Sequence, residues 1–327
     1  MKQNKIFGFI CVLSLLFAVA CTDDYQKVGP IGKILKNDCM KRSLGPNVAG
    51  LDIEFIYAMA IPPDKGKLQK AFVEASIAGD AETYLEHRSY HTSGSGADVG
   101  VEIGSPCINS GSRTEVTFNV DTCAAALRYF YRIPESAKGK EVSFTFSVTA
   151  SNGETVSYKM GPYKIAKMDM VRNLNVSTDD KCYISIADMA VYDAAGAAAN
   201  AGKIDLVYLY RSIPGVVFGH AYASPAADAQ YRPNVAIPSG ANNSTFIRKA
   251  YQLRDRHLAN LQYGVYVDDI DLETIKLSEM PNYALNVNNE AGMWVETQDG
   301  KYRAFIYVNS VNAAGTAVIS MKRLTVK

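Results

Sequence analysis

Apolar and polar residues alternate from residue 142 to 148 and again from 156 to 160, and this pattern constrains the fold more than any other feature of the sequence. Because successive side chains of a β-strand point to opposite faces, each run predicts a strand with one buried and one solvated face. Asn152 and Gly153 lie between the runs and supply the positive φ angles that a tight hairpin turn needs. Residues 142–160 are therefore predicted to form an antiparallel hairpin.

Similar alternating segments precede this hairpin. Strands are predicted at residues 51–60, 72–77, 114–120 and 127–132, with Gly, Pro or Ser between them. Several short strands separated by turn residues are typical of a β-sandwich. We therefore predict an immunoglobulin-like β-sandwich over residues 48–167.

The second half of the chain carries fewer clear patterns. Residues 204–210 are predicted to form a strongly apolar strand, and residues 302–308 and 317–324 a terminal hairpin. Residues 246–261 show a modest helical pattern. The fold class predicted for the whole chain is mainly β, in two tandem modules. The immunoglobulin-like β-sandwich comes first, and a β-rich module with minor helix follows over residues 168–327.

The N-terminus predicts export. The apolar run at residues 6–20 follows two lysines and is too short to span a bilayer and remain there. Residues 18–21, Ala-Val-Ala-Cys, resemble the lipobox of bacterial lipoproteins, in which the cysteine is acylated and becomes the new N-terminus. Residues 1–20 are thus interpreted as a lipoprotein signal peptide, Cys21 as the lipidation site, and residues 21–47 as a lipidated tether and lead-in.

Acidic residues follow this cysteine directly. Thr22, Asp23 and Asp24 resemble the short surface-export signal of lipoproteins from Bacteroides-type gut bacteria. The resemblance implies a protein anchored in the outer membrane by its lipid and facing the cell exterior. The alternative is a protein on the periplasmic face, whose acidic residues only form a solvated tether. The chain carries 34 Lys and Arg against 33 Asp and Glu, and this balance gives no indication of a nucleic-acid partner.

The remaining cysteines and acidic groups do not predict a metal site or a cofactor. Four cysteines follow Cys21, and they allow three pairings. Cys107 and Cys123 flank a predicted strand and could form a disulfide, although the thiols could also stay reduced in a host that lives without oxygen. No Cys or His spacing indicates zinc. The acidic segment 268–273 lacks the glycine of a calcium loop and is interpreted as a solvated turn.

Catalytic motifs are absent from the sequence. It contains no G-x-S-x-G, no P-loop, no H-E-x-x-H and no G-x-G-x-x-G after a strand. His87 and His91 are four residues apart but belong to a predicted loop, so they do not indicate a metal site. We predict no catalytic residue.

Three residues are candidates for binding a ligand. Trp294 and Tyr222 lie near predicted loops, where an aromatic ring could stack on a sugar. His220 lies between aromatic segments and either faces a ligand or forms a hydrogen bond within the module.

Several segments resemble a family of two-domain secreted lipoproteins of Bacteroides and its relatives, which is assigned to a domain of unknown function and has an immunoglobulin-like N-terminal module. Besides the lipobox, the segments are IPESAKGKEVSFTFSVTASNGETVSYKMGPYKI, KIDLVYLYR, GHAYASP, LRDRHLANLQYGVYVDD and DGKYRAFIYVNSVNAAGTAVISMKR. The resemblance implies the location and the architecture. It implies no activity and no functional residue.

The favoured hypothesis is a non-enzymatic surface lipoprotein that is held to the membrane by its lipid and binds a glycan or another surface protein. The alternative is a structural subunit of a fimbria or another surface appendage, with Lys41 and Arg42 as a site for trypsin-like cleavage. A weaker alternative is an unrecognised polysaccharide hydrolase, which would need two carboxylates at a set separation.

Overall fold

The computed structural model of the protein describes residues 32–327. The predicted signal peptide, Cys21 and the acidic residues after it lie outside the described residues. The strands of the N-terminal module are β1 (Lys36–Lys41), β2 (Asp52–Ala60), β3 (Leu68–Ala75), β4 (Tyr84–Leu85), β5 (Arg88–Thr92), β6 (Asp98–Glu102), β7 (Ile108–Ser110), β8 (Arg113–Thr117), β9 (Ala124–Arg132), β10 (Glu141–Ala150) and β11 (Thr155–Lys164).

These strands form two antiparallel sheets, in the orders β1-β2-β9-β4 and β11-β10-β3-β8-β7, while β5 and β6 pair as a separate hairpin. Aromatic residues fill the space between the sheets. The rings of Phe55 and Phe144 lie 4.9 Å apart, and those of Tyr57 and Phe146 lie 5.2 Å apart. Such pairs add stability beyond the apolar area that they bury. The predicted hairpin is confirmed as β10 and β11.

Strand β1 lies inside the segment that the sequence analysis assigned to the tether. It pairs with β2 along its whole length and places Leu35, just before it, and Cys39 in the core. The interpretation of residues 21–47 as tether and lead-in is therefore wrong for β1. Leu35 and Cys39 are the only buried side chains of residues 35–41. Apolar and polar residues therefore do not alternate clearly in this segment, and the sequence did not predict the strand.

The C-terminal module is also built mainly of strands, with a few short helices. Its strands are β12 (Asp169–Ser177), β13 (Tyr183–Ser185), β14 (Ala190–Tyr192), β15 (Leu206–Ile213), β16 (Val216–Ala223), β17 (Phe246–Ala250), β18 (Tyr283–Ala284), β19 (Gly292–Glu296), β20 (Tyr302–Asn312) and β21 (Thr316–Thr325). Its helices are α1 (Ala194–Ala199), α2 (Arg256–Ala259) and α3 (Asp269–Thr274), and 3₁₀ turns occur at Glu135–Ala137 of the first module and at Ala201–Lys203 and Ala229–Tyr231 of the second.

Two five-stranded sheets make up this module, in the orders β12-β21-β20-β19-β17 and β14-β13-β15-β16-β18. The terminal hairpin and the apolar strand at residues 204–210 are confirmed as β20, β21 and β15. The predicted helical pattern at residues 246–261 is wrong. Its first five residues form β17, which pairs with β19, and only the four residues of α2 are helical. Pairing with a distant strand outweighs the weak local pattern here.

A buried carboxylate holds the connection between the modules. Asp269 of α3 accepts hydrogen bonds from the backbone N–H groups of Lys167 at 2.8 Å and Met168 at 3.0 Å. Lys138 of the first module and Arg323 of the second both form ion pairs with Asp169. The protein is thus mainly β, with two packed modules and minor helix. Within residues 32–327, no helix has the length and apolar character needed to cross a membrane.

The chain enters the N-terminal module at the end that is far from this connection. The backbone N–H of Leu35 donates to the Glu154 carboxylate at 2.7 Å, beside the β10–β11 turn. At the other end of the same strands, Asn47 pairs with Ile165, directly before the second module begins. The N-terminal module therefore separates the chain's point of entry from the C-terminal module.

Candidate functional site

Trp294 is a core residue of the C-terminal module. It lies on β19, only 7% of its surface is exposed, and its ring packs 4.7 Å from that of Phe305. Stacking on a sugar requires an open ring face. This burial contradicts the prediction that Trp294 binds a ligand. Four consecutive residues of this strand are buried, so the strand is covered on both faces. The sequence around a single tryptophan near a predicted loop does not indicate this burial.

Tyr222 and His220 are also buried. Tyr222 is fully enclosed, and its hydroxyl has no partner among the described residues. His220 is 5% exposed; its Nδ1 lies 2.7 Å from the Tyr208 hydroxyl and its ring stacks on Tyr210 at 4.4 Å. Burial lowers the pKa of His220, which favours the neutral imidazole. These positions contradict a ligand-facing role and fit the alternative of a hydrogen bond within the module.

Cys107 and Cys123 are free thiols in the structure, which agrees with the alternative of reduced cysteines rather than with a disulfide. The Cys123 sulfur lies 3.4 Å from the Lys67 ammonium nitrogen. Cys39 and Cys182 are buried, and burial raises the pKa of these two thiols to about 12 and about 11. Thiols of this kind are poor nucleophiles and poor metal ligands.

The acidic segment 268–273 begins a helix. Asp268 caps α3 and, together with Asp271, forms a reciprocal capping box. This satisfies N–H groups of the first helical turn and explains the local density of carboxylates. Within residues 32–327, no group of three or more His, Cys, Asp or Glu side chains could hold a metal ion.

An open polar cleft of about 630 Å³ lies in the C-terminal module. It forms where the turn between β19 and β20 meets the segment before β15 and the loop before β17. The side chains that line it differ from the predicted site residues and come from segments far apart in the chain. Its main lining residues are Asp188, Lys203, Asp205, Asn243, Gln298, Asp299, Lys301 and Tyr302.

The β19–β20 turn presents Asp299 at the rim of the cleft. One carboxylate oxygen accepts hydrogen bonds from the Thr297 hydroxyl at 2.7 Å and from the Lys301 N–H at 2.9 Å. These bonds lower the pKa of Asp299, with the Thr297 hydroxyl the main cause. Gly300 adopts a φ of 65°, which lets the chain reverse. The carboxylate is therefore held ionised in a fixed position while the residue stays exposed.

Asp205 lies deep in the cleft and is 4% exposed. Its Oδ2 accepts a hydrogen bond from the Ile186 N–H at 2.8 Å, whereas its Oδ1 lies 3.5 Å from the Asn243 amide nitrogen. Burial raises the pKa of Asp205 to about 7, and the negative charge of Asp299 acts in the same direction. Near neutral pH this carboxyl can therefore donate as well as accept a hydrogen bond.

The remaining polar groups are held by neighbouring backbone and side chains. The Asn243 amide nitrogen donates to the carbonyl oxygens of Gly202 at 3.1 Å and Ile204 at 2.9 Å, which orients its amide oxygen. Asp188 forms an ion pair with Lys203 at 3.0 Å. The ring of Tyr302 has the Lys301 ammonium 5.1 Å and the Arg323 guanidinium 4.9 Å from its centroid.

Chemically, the cleft offers fixed acceptors, amides, two ammonium groups and one tyrosine in an open space. Such a mixture can hydrogen-bond to the hydroxyl groups of a small polar ligand. Sequence reasoning missed these residues because they converge only through long-range pairing. The Asp-Gly pair at residues 299 and 300 predicts a turn, but it does not indicate what lies opposite that turn.

Comparisons with known proteins identify relatives of uncharacterised function. Residues 32–165 match the model of a domain of unknown function, DUF4466, and residues 166–326 match that of a second one, DUF8576. The crystal structure of a DUF4466 family protein from Parabacteroides merdae is 47% identical in sequence, with a TM-score of 0.84; the match covers 89% of this chain and 98% of that one. The search of curated proteins found no match.

A second solved structure is far less similar. The major pilin subunit of Bacillus cereus matches with a TM-score of 0.28 and 10% identity, over 88% of this chain and 66% of that one. A similarity at this level carries no argument about fold or function.

Proposed function

The chain belongs to the DUF4466 family, whose function is unknown, and from this premise we propose that it is a non-enzymatic surface lipoprotein that binds a glycan in the polar cleft. Its anchor is the lipid predicted at Cys21, and its predicted location is the outer face of the outer membrane. A sugar presents many hydroxyl groups, each of which can donate and accept, so a glycan matches the mixed donors and acceptors of the cleft.

The observation that carries this proposal is the set of ordered polar groups around an open space. Asp299 and Asn243 each have one polar atom bound by the protein, which orients the other. Both carboxylate oxygens of Asp188 are held, one by Lys203 and the other by the Tyr192 hydroxyl. A binding site gains affinity when its groups are ordered before the ligand arrives.

Two further observations support display at a surface. The sequence before residue 32 has the pattern of a lipid-anchored export signal. The N-terminal module separates the entry of the chain from the module that contains the cleft. A lipid anchor on the tether would therefore leave the N-terminal module between the membrane and the module that contains the cleft.

Binding can be tested by electrophoresis of the purified protein through gels that contain starch, galactomannan, arabinoxylan, polygalacturonate or gastric mucin. We expect retardation by at least one polysaccharide. Gln298→Ala combined with Tyr302→Phe should abolish it, because these changes remove an amide and a hydroxyl of the cleft but keep the ring that packs near Arg323. Gln230→Ala is the matched control, since Gln230 is an exposed amide that does not line the cleft.

The outcomes separate the hypotheses. No retardation by any polysaccharide would contradict glycan binding and favour a protein partner. Release of reducing ends from a polysaccharide during the same incubations would contradict the non-enzymatic assignment. In that case Asp205 and Asp299 would be the first carboxylates to replace, because their pKa values are displaced in opposite directions.

A structural subunit of a surface appendage is the second candidate. The observation that favours it is the position of β1, an edge strand that ends at Lys41 and is followed directly by Arg42. Cleavage after Arg42 would leave β1 without a covalent bond to the rest of the sheet, so a strand of another copy could replace it. Trypsin treatment of the purified protein should then produce a ladder of polymers. A product that stays monomeric would count against this role.

A further inference from the structure

We propose that the ligand is a neutral glycan polymer that contacts a second surface, the tyrosine loop at residues 251–265, in addition to the cleft. This inference rests on the proposed function. It adds the class of ligand, a long uncharged polysaccharide, and a site at the opposite end of β17 from the cleft.

The tyrosine loop carries the two most exposed tyrosines of the described residues. Tyr263 is 79% and Tyr251 is 70% exposed. Gln252, Asn260 and Gln262 on the same loop are exposed as well. Tyrosine rings and amides together offer a stacking face and uncharged hydrogen-bonding groups, which is the combination that a neutral sugar requires.

A buried ion pair fixes the base of this loop. Asp255 is fully buried and accepts hydrogen bonds from the N–H groups of Leu258 at 3.0 Å and Val267 at 2.6 Å. The ammonium group of Lys322, also fully buried, lies 2.7 Å from the Asp255 carboxylate. These contacts join Asp255 to α2, to the segment after the loop and to β21, so they fix the base of the loop.

The backbone of the loop is tightly packed. Gly264 has a φ of 142°, and a Cβ atom added there would lie 2.3 Å from the Arg254 carbonyl oxygen. Gln252 and Asn260 adopt positive φ angles of 54° and 52°, which are uncommon for residues other than glycine. Two tyrosines on a fixed loop lose little conformational entropy when they bind, and this favours their use as a recognition surface.

Strand β17 connects the loop to the cleft. Its first residue, Phe246, lies opposite Glu296 beside the cleft, and its last residue, Ala250, directly precedes Tyr251. Five residues of strand span about 16 Å. A groove of about 280 Å³ follows this strand and is lined by residues that include Lys249 and Tyr283. A short oligosaccharide in the cleft would not reach the loop, whereas a polymer laid along the groove would.

The charges beside the loop favour a neutral polymer. Arg254 forms an ion pair with Glu290. The ammonium group of Lys249 donates to the Leu285 carbonyl oxygen at 2.8 Å. Both cations are thus already engaged, which leaves tyrosines and amides as the main exposed groups of the loop itself. Arg248, which lines the groove, is exposed and forms no ion pair within the described residues, so polygalacturonate is included in the test.

The test compares polymers with short fragments. Binding of starch, galactomannan and arabinoxylan, of oligosaccharide fragments of each, and of polygalacturonate is measured for the wild type and for the double variant Tyr251→Ala, Tyr263→Ala. We expect the variant to bind the neutral polymer about tenfold more weakly and the fragment unchanged, because only the polymer engages both surfaces. Tyr84→Ala is the matched control, an exposed tyrosine of the other module.

Other results would overturn the inference. They are an unchanged affinity of the double variant for the polymer, an equal loss for polymer and fragment, or a preference of the wild type for polygalacturonate. Both tyrosines are exposed, so the variants should melt at the wild-type temperature, and the melt is measured in parallel. If the wild type binds none of these polymers, the proposed function fails and the inference fails with it; binding by the wild type that the double variant retains would refute the inference alone.

Discussion

The two modules have similar numbers of strands but bury different kinds of polar group. In the N-terminal module the buried polar residues are neutral, namely Thr83, Thr114 and Ser147. In the C-terminal module the described residues include five buried ionisable side chains, which are Asp205, His220, Asp255, Asp269 and Lys322. Burial of charge is costly unless it is compensated by partners. The difference indicates that the first module is built for stability and that the second uses buried charges to hold loops in place.

The largest effect should come from breaking the buried ion pair of the C-terminal module. Lys322→Met would leave the Asp255 carboxylate buried without its cation, and we expect a loss of about 3–5 kcal/mol in the free energy of unfolding. Urea denaturation measures it. The double change Lys322→Met, Asp255→Asn should recover part of the loss, and a single variant as stable as the wild type would refute the argument.

A pH-dependent effect should follow from Asp205. The pKa of Asp205 is about 7 in the folded protein, above its ordinary value of 3.8. Its favourable contribution to stability is therefore complete below pH 3.8 and is lost as the pH rises through 7. Asp205→Asn should therefore stabilise the protein by about 3 kcal/mol at pH 8.5 and by almost nothing at pH 4. Denaturation at both pH values is the measurement, and an equal gain at both would show that the carboxyl is not the cause.

The opposite pH dependence should arise from His257. Burial and the nearby Lys322 lower its pKa from 6.5 to about 4, so the unfolded chain takes up a proton before the folded protein does. Stability should then fall by about 2 kcal/mol between pH 6.5 and pH 4.5, and His257→Gln should reduce that fall. His91→Gln, in the exposed hairpin of the other module, is the matched control.

The smallest effect is expected in the N-terminal module. The hydroxyl groups of Ser147 and Ser157 lie 2.8 Å apart across β10 and β11. Ser147→Ala should cost about 1 kcal/mol in the free energy of unfolding, at every pH between 4 and 8.5, because both groups are neutral. A loss as large as that of Lys322→Met would remove the contrast between the modules.

The two modules also differ in how much of their structure could be predicted from sequence. The core of the first module depends on alternation within single strands, as in residues 142–148, and that signal is local. The cleft depends on the approach of Asp205, Asn243 and Asp299, which are brought together by sheet pairing across long stretches of chain. No local pattern encodes that approach. Mainly β architecture in two modules was therefore predictable, whereas the binding residues were not.

Two aromatic residues show why the exposure of a side chain could not be predicted from sequence. Trp294 and Tyr263 are both aromatic residues near loops in the sequence, yet one is 7% and the other 79% exposed. The first lies on a strand inside a five-stranded sheet, and the second lies on a loop whose shape is fixed by a residue 59 positions away in the chain, Lys322. Exposure is a property of the assembled sheets, so residue type and local context did not predict it.

For the lipid-anchored protein that we propose, the position at which the chain enters the N-terminal module would set the distance between the membrane and the second module. Strand β10 has ten residues, a length of about 33 Å, and it runs from the module connection to the turn beside Glu154. With a lipid on the tether, the first module would act as a rigid pedestal of that height. The cleft and the tyrosine loop would then stand clear of the bilayer, within reach of large molecules in the medium.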